Sequence, residues 1–234
     1  MSTMSSLDRT VRVVRMQLIN RQTYIWVPLL ILGGSLALTI VIWTMIPYDG
    51  PKYGGASQAP LWYFFAVGIQ ALTLSFPFSQ AMSVTRREFY LGTLLTALAT
   101  SFILAAIFVF GGLLETATGG WGLNGYYFKL DWIWQQGPAA AGLFYLVAAM
   151  LFFVIGFTAA TVYKRFGTLW LTIVLLAVAV LMVAAAWTIT MTQSWPAVWT
   201  AVTTAGPLSA ALWGLAVLVV LGVASFLVIR RATP

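Results

Sequence analysis

The sequence contains no cysteine and no histidine among its 234 residues. These two absences exclude disulfide bonds, zinc sites built from thiolates or imidazoles, haem bound through histidine, and catalytic triads that use either residue. Charged residues make up only 7% of the chain, whereas hydrophobic residues make up 61%. Soluble domains carry about 25% charged and about 45–50% apolar residues. The composition therefore excludes a water-soluble enzyme and predicts an integral membrane protein.

Six long apolar segments without any Lys, Arg, Asp or Glu predict an all-α membrane domain with six transmembrane helices. A spanning helix needs about 20 apolar residues, and a central charge costs about 2.5–3.5 kcal/mol. The predicted spans are 25–46, 61–83, 92–114, 139–162, 168–190 and 208–229. The uncharged segment 188–207, which contains Pro196, Gly206 and Pro207, is either a re-entrant external element or a simple interfacial loop.

The placement of the basic residues predicts the orientation of these spans. Of the 12 Lys and Arg residues, all except Lys52 and Lys129 fall in the N-terminal segment, the second and fourth connections, and the C-terminus. Basic residues favour the cytoplasmic side of a membrane, so both termini are expected in the cytoplasm. The net charge of +7 is then a topology signal with an attraction to anionic membrane lipid, and it does not indicate a nucleic-acid partner.

Residues 7–22 have the pattern of an amphipathic helix lying in the membrane interface. Apolar residues at helical spacing form one stripe: Leu7, Val11, Val14, Leu18 and Ile25. Basic residues lie opposite or on the flanks of that stripe: Arg9, Arg12, Arg15 and Arg21. Such a helix is either a lipid-surface anchor or a lever that contacts a cytoplasmic partner.

The chain lacks the residues of an energy source or a catalytic site of its own. A Walker A loop needs Gly-Lys, and none of Lys52, Lys129 and Lys164 follows a glycine. No acidic residue lies inside a predicted span to carry protons, and no nucleophile has a base or a metal beside it. We therefore expect no catalytic residue, no metal and no cofactor in this chain, and ATP would have to be used by another polypeptide.

Neutral polar residues inside the spans have two interpretations. Those that could line a transport pathway are Gln70, Ser75, Ser79, Gln80 and Thr172. Hydroxyls and small residues also commonly pack helices against each other in lipid, so helix packing is the alternative role.

Three segments carry a resemblance to a known family. Residues 13–21 (VVRMQLINR) lead into span one, residues 83–92 (SVTRREFYLG) link spans two and three, and span four carries Gly156 and runs into residues 163–167 (YKRFG). In this order the chain resembles the six-span permease subunits of bacterial ABC exporters, of the ABCG-like type.

The resemblance implies roles for particular segments. Residues 7–22, with Arg9, Arg12, Arg15 and Arg21, would be the connector helix, and 188–207 the re-entrant element. A coupling helix would dock on a separate ABC ATP-binding subunit that holds ATP and Mg; its residues would be Thr85, Arg86, Arg87, Glu88 and Phe89. Two permease copies, identical or related, would export an amphipathic or hydrophobic compound (a drug, an antibiotic peptide or a lipid-like molecule) across the bacterial inner membrane.

Two other functions remain open from the residues alone. A secondary carrier or a channel could use backbone carbonyls of broken helices as ion sites. A membrane scaffold or sensor would need no transport pathway at all.

Overall fold

The computed structural model describes residues 6–82 and 84–230, and within these ranges the chain is all-α except for one pair of two-residue strands. The helices are α1 (Ser6–Ile19), α2 (Val27–Met45), α3 (Ala59–Gln70), α4 (Phe76–Ala81), α5 (Arg86–Ala117), α6 (Asp131–Trp134), α7 (Pro138–Met191) and α8 (Trp195–Ile229). Strand β1 (Lys52–Tyr53) pairs in parallel with β2 (Gly125–Tyr126). Short helical turns join several of these elements: Gln22–Trp26, Gly55–Gln58, Ala71–Ser75 and Gly120–Asn124.

Five helical segments of the described chain are long and apolar enough to cross a membrane. They are Gln22–Met45, Gly55–Ala81, Arg86–Ala117, Pro138–Met191 and Trp195–Ile229. A transmembrane helix needs about 20 apolar residues, and each of these segments exceeds that length. The prediction of an all-α membrane protein is therefore confirmed at this level.

The count of five differs from the predicted six because the fourth and fifth predicted spans run together in α7, which has 54 residues. The only non-helical residue inside α7 is Gly167, with φ 83° and ψ 179°. A positive φ of this kind suits glycine, which has no Cβ to clash with the backbone. The short basic connection at 163–166 stays helical, so one glycine redirects the chain where a polar loop was expected.

The uncharged segment 188–207 is helical for most of its length. It contains the end of α7, a turn at 192–194, and the first part of α8. Inside α8 the helix breaks at Gly206, which has φ 71°, and Pro207 follows immediately. Pro207 has no N–H to donate, and the break at Gly206 divides α8 into a short first part and the long part that holds the sixth predicted span.

Glycine residues allow a close crossing of helix backbones between α3 and α7. A Cβ added to Gly68 would clash with the main-chain oxygen of Phe153, and one added to Gly156 would clash with that of Phe65. Small residues allow the backbones of membrane helices to approach this closely. The crossing fixes α7 against α3 and so positions the ends of both helices.

Candidate functional site

Basic residues of three different helices meet at one end of the molecule. The Arg9 Nε of α1 lies 2.9 Å from the Glu88 carboxylate at the start of α5. On the same first turn of α5, the Arg86 guanidinium donates a hydrogen bond of 3.0 Å to the main-chain oxygen of Arg230, just after α8. These contacts place α1, the start of α5 and the end of α8 together.

The Gly167 break in α7 lies at this same end. Arg165, two residues before the break, donates a hydrogen bond of 3.4 Å to the main-chain oxygen of Val228 near the end of α8. We call this region the basic end, and its members are Arg9, Arg86, Arg87, Lys164, Arg165 and Arg230. Arg231, the last basic residue of the sequence, lies outside the described residues.

The start of α5 is fixed by a reciprocal capping box. Thr85 precedes the helix with an extended backbone, and its hydroxyl accepts a hydrogen bond of 3.3 Å from the Glu88 N–H. The Glu88 carboxylate in turn accepts a 3.2 Å hydrogen bond from the Thr85 N–H. Such a pair satisfies two N–H groups that the first helical turn leaves unbonded. Residues 85–89 therefore cap and begin α5.

The five residues predicted to dock on an ATPase divide into an inner and an outer group. Phe89 is fully buried, with its ring 5.2 Å from that of Phe76, and Glu88 is 5% exposed. Arg86 is half-buried, whereas Thr85 and Arg87 are exposed. Only the outer side chains can contact another protein directly. Ser83, in the same connection, lies outside the described residues.

Helix α1 packs on α5 through a face that differs from the predicted apolar stripe. Val13 and Gln17 are buried at 1% and 3% exposure, whereas Val11 of the predicted stripe is 43% exposed. The Gln17 amide donates a buried hydrogen bond of 2.8 Å to the Thr93 hydroxyl. The predicted stripe was assigned to the membrane interface, whereas the face packed on α5 was not predicted, because a hydrophobicity pattern assigns no polar residue such as Gln17 to a core.

The close approach of α1 to α5 depends on a glycine. A Cβ added to Gly92 would lie 2.6 Å from Val13 Cβ and 3.1 Å from the main-chain oxygen of Thr10. The helix itself ends at Ile19, three residues before the predicted limit at 22. The four predicted connector arginines are all exposed, namely Arg9, Arg12, Arg15 and Arg21, and Arg9 also pairs with Glu88 of α5.

Two of the predicted pathway residues share a cavity. Gln70 and Ser75 line a space of about 200 Å³ beside Gln17 and Tyr24. This cavity lies between the end of α1 and the α3–α4 segment, near the basic end. Its walls are neutral and mixed polar and apolar, so it suits an uncharged amphipathic group.

The other three predicted pathway residues do not line this cavity, and each donates to a carbonyl nearby in sequence. Ser79 is fully buried and donates to the main-chain oxygen of Phe76 at 2.7 Å. The Gln80 amide donates to the main-chain oxygen of Val84 at 3.0 Å. Thr172 is exposed and donates to its own helix at 3.0 Å. These bonds satisfy the side-chain donors locally, within a few residues of each donor.

At the opposite end, the buried carboxylate of Glu115 holds the long loop between α5 and α7. One of its oxygens accepts hydrogen bonds of 2.8 Å from the Trp121 indole and from the Tyr127 N–H. The other accepts bonds of 2.9 and 2.8 Å from the N–H groups of Phe128 and Lys129. Sequence reasoning missed this role because three of the four partners are main-chain groups, which leave no trace in a residue pattern.

Two connections join at this opposite end through β1 and β2. The Tyr53 hydroxyl in β1 donates to the carboxylate of Asp131 at the start of α6. This hydrogen bond raises the pKa of Tyr53 to about 12, so the phenol stays protonated and remains a donor at neutral pH. The strand pair and this hydrogen bond hold the connection after α2 in contact with the loop that follows α5.

The same loop covers the break in α8. The Trp132 indole donates a hydrogen bond of 3.2 Å to the main-chain oxygen of Val202, and the Gln136 amide oxygen accepts one of 3.0 Å from the Leu208 N–H. A break in a helix leaves such groups without partners inside the helix. The loop side chains therefore satisfy the backbone on both sides of Gly206.

Neither a metal-binding cluster nor a similar protein assigns a function to the chain. No group of three or more Asp, Glu, His or Cys residues in the described part of the chain could hold a metal ion. No family model, no curated protein and no solved structure matches the chain. Its function must therefore be inferred from its own residues and their geometry.

Proposed function

We propose that the chain is the permease subunit of an ATP-driven exporter of the ABC type, and that a separate subunit binds and hydrolyses ATP with Mg. The observation that carries this proposal is the joint between α1 and the first turn of α5. An ion pair, Arg9–Glu88, and a buried hydrogen bond, Gln17–Thr93, hold the two helices together. A force on the exposed part of that turn would move α1 and the long helix α5 as one unit.

Six crossings of the bacterial inner membrane fit the lengths of the helices. With a rise of 1.5 Å per residue, a 54-residue helix is about 80 Å long, whereas the hydrocarbon core is about 30 Å thick. The Gly167 break meets the end of α8 through Arg165. We infer that α7 crosses once before Gly167 and once after it, so that α8 ends on the basic, cytoplasmic side, as does α1.

The ATP-binding subunit docks on the exposed part of the turn before α5. Thr85 and Arg87 face outward there, next to the ion pair between the buried Glu88 and the exposed Arg9. A basic, exposed turn at the cytoplasmic side offers a charged contact to a partner. The ion pair then carries motion from the turn to α1.

The cargo and the second permease copy are inferred from surfaces of the membrane region. The cavity that holds Gln70 and Ser75 has neutral polar walls together with Leu74 and Phe78, which suits an amphipathic or hydrophobic compound. The part of α7 after Gly167 has no buried side chain within the monomer. One side of that helix is thus available to a second copy, and the remainder to lipid.

The experiment is purification of the chain from its native host in a mild detergent, followed by mass analysis and a vanadate-sensitive ATPase assay. We expect a P-loop protein to co-purify with the wild-type chain. Arg87→Glu reverses an exposed charge and should lower both its yield and the ATPase activity by about tenfold, the loss of a close charge contact. Arg21→Glu makes the same charge change at an exposed site away from the turn and should leave both unchanged.

The opposite outcome is equally informative. A wild-type chain that purifies without a nucleotide-binding protein, and supports flux in liposomes without ATP, contradicts the exporter proposal and favours a carrier or channel. An equal loss in the Arg21→Glu and Arg87→Glu variants contradicts the assigned docking surface.

A further inference from the structure

Three arginine side chains line one cavity at the basic end. The cavity has a volume of about 470 Å³, lies between the start of α5 and the end of α8, and is lined by Arg86, Arg87, Phe226 and Arg230. We call it the arginine cavity. No acidic residue of the described chain lines it, so three positive charges converge on a space with one aromatic wall.

The walls of the arginine cavity are held in place by other contacts. Arg86 is oriented by its 3.0 Å hydrogen bond to the main-chain oxygen of Arg230. The Phe226 ring lies 5.1 Å from the ring of Tyr90, and the Tyr90 hydroxyl donates a 2.6 Å hydrogen bond to the main-chain oxygen of Gly222. The cavity is therefore preorganised, which lowers the entropic cost of binding a ligand there.

The charge of the arginine cavity is not neutralised by the described carboxylates. Glu88 is occupied by Arg9 and by the cap of α5. Glu115 and Asp131 lie at the opposite end of the molecule, where they bond to loop residues. Guanidinium groups match phosphate oxygens in geometry and charge, so the complementary occupant is a phosphate group.

Exposed apolar residues continue from the arginines along both helices. On α5, Leu91 and Leu95 follow Arg87 at spacings of one helical turn, and both are exposed. On α8, the exposed Leu227 lies one turn before Arg230. Residues three or four positions apart share a helix face. An occupant with a phosphate head and hydrocarbon chains can therefore contact the arginines and these leucines together.

We propose that the arginine cavity binds the headgroup of an anionic phospholipid from the surrounding leaflet and that the acyl chains lie along α5 and α8. Basic pockets between membrane helices on the cytoplasmic side are suited to such headgroups. The bound lipid joins the start of α5 to the end of α8 and neutralises their mutual repulsion. This binding needs no ATPase and so does not depend on the proposed transport function.

The test is lipid retention by the full chain. The protein is reconstituted in nanodiscs of phosphatidylglycerol and phosphatidylcholine in equal parts, re-extracted in mild detergent and analysed by native mass spectrometry. We expect wild-type protein to retain phosphatidylglycerol in preference to phosphatidylcholine. Each basic residue near an anionic headgroup contributes about fivefold in affinity, so the double variant Arg86→Gln/Arg230→Gln should lose about 25-fold.

A matched variant separates a site from diffuse attraction. Arg15→Gln/Arg21→Gln removes the same charge from exposed residues outside the cavity and should retain the lipid. An equal loss in both double variants overturns the proposal, as does retention without preference for phosphatidylglycerol in the wild type. Arg230→Gln alone keeps the main-chain acceptor of Arg86 and serves as the second variant if the double variant misfolds; its expected loss is about fivefold.

A further arm distinguishes a lipid from a free anion. Inorganic phosphate is added at millimolar concentration before extraction. Retention of phosphatidylglycerol in its presence supports the lipid site. Displacement of the lipid by phosphate would overturn it in favour of a soluble anion.

Discussion

At the scale of single residues, two carboxylates determine the local geometry of the two ends of the molecule. Glu88 caps α5 and pairs with Arg9 at the basic end, whereas Glu115 gathers three consecutive N–H groups of the opposite loop. Hydrogen bonds to a charged acceptor are stronger than neutral ones. With only five acidic residues in the chain, each of these two carboxylates replaces many weaker contacts.

Replacement of Glu115 by glutamine should destabilise the protein. The side-chain amide would direct an N–H₂ group toward main-chain N–H donors, so at least one buried donor would lose its acceptor. We expect a loss of about 3 kcal/mol in the free energy of unfolding, measured as a lower Tm in detergent by tryptophan fluorescence. Asp49→Asn, at an exposed site, is the matched control and should leave the Tm unchanged. An equal Tm for wild type and Glu115→Gln would contradict the assigned role.

At the scale of elements, the fold depends on close contacts between helix backbones. Gly214 of α8 lies against the Val147 side chain, and a Cβ added there would be 2.9 Å from it. The tighter contact at Gly156 could not be ranked above it from the sequence. Both are single glycines in apolar helices, and only the path of α3 shows that Gly156 meets a main-chain oxygen.

Gly156→Ala should therefore weaken the crossing of α3 and α7. The added methyl would collide with the backbone near Phe65, which cannot move aside as a side-chain end can. Overpacking of this kind costs about 2 kcal/mol, which a lower Tm in detergent would reveal. Gly33→Ala is the control, because a Cβ at that position meets nothing within 4 Å. A similar effect of the two substitutions would contradict the argument.

At the scale of the whole molecule, the question is how many times the chain crosses the membrane. The described part of the chain has five helices of sufficient length, one of which is broken at Gly167. The absence of cysteine makes the chain suited to labelling of single introduced cysteines. Exposed positions are available near both ends of the bundle.

Six crossings predict a definite labelling pattern in intact cells. A membrane-impermeant maleimide should label Asp49→Cys and Gln193→Cys and should spare Arg21→Cys and Lys164→Cys. All four should react once the membrane is permeabilised, which controls for their accessibility. Labelling of Lys164→Cys in intact cells would contradict the crossing of α7 before Gly167.

The amino-acid sequence by itself determined the class of this protein and the approximate location of its apolar helices. Apolar segments of more than about 20 residues are stable only in a membrane or a protein core. This preference depends on the composition of the segment and not on the other helices that it contacts. The limits moved by several residues where caps and turns decided them. Thus the third predicted span, 92–114, lies within α5 (Arg86–Ala117), which begins at the Thr85–Glu88 capping box.

The tertiary structure alone decided which polar residues meet. Two of these pairs lie far apart in sequence: Gln17 with Thr93, and Arg86 with the main chain of Arg230. A third contact, between Glu115 and its loop, involves backbone N–H groups. Such contacts depend on the relative positions of helices, which one-dimensional periodicity does not contain. For the same reason, only the packing of α5 shows that Phe89 is buried and that Arg87 is exposed.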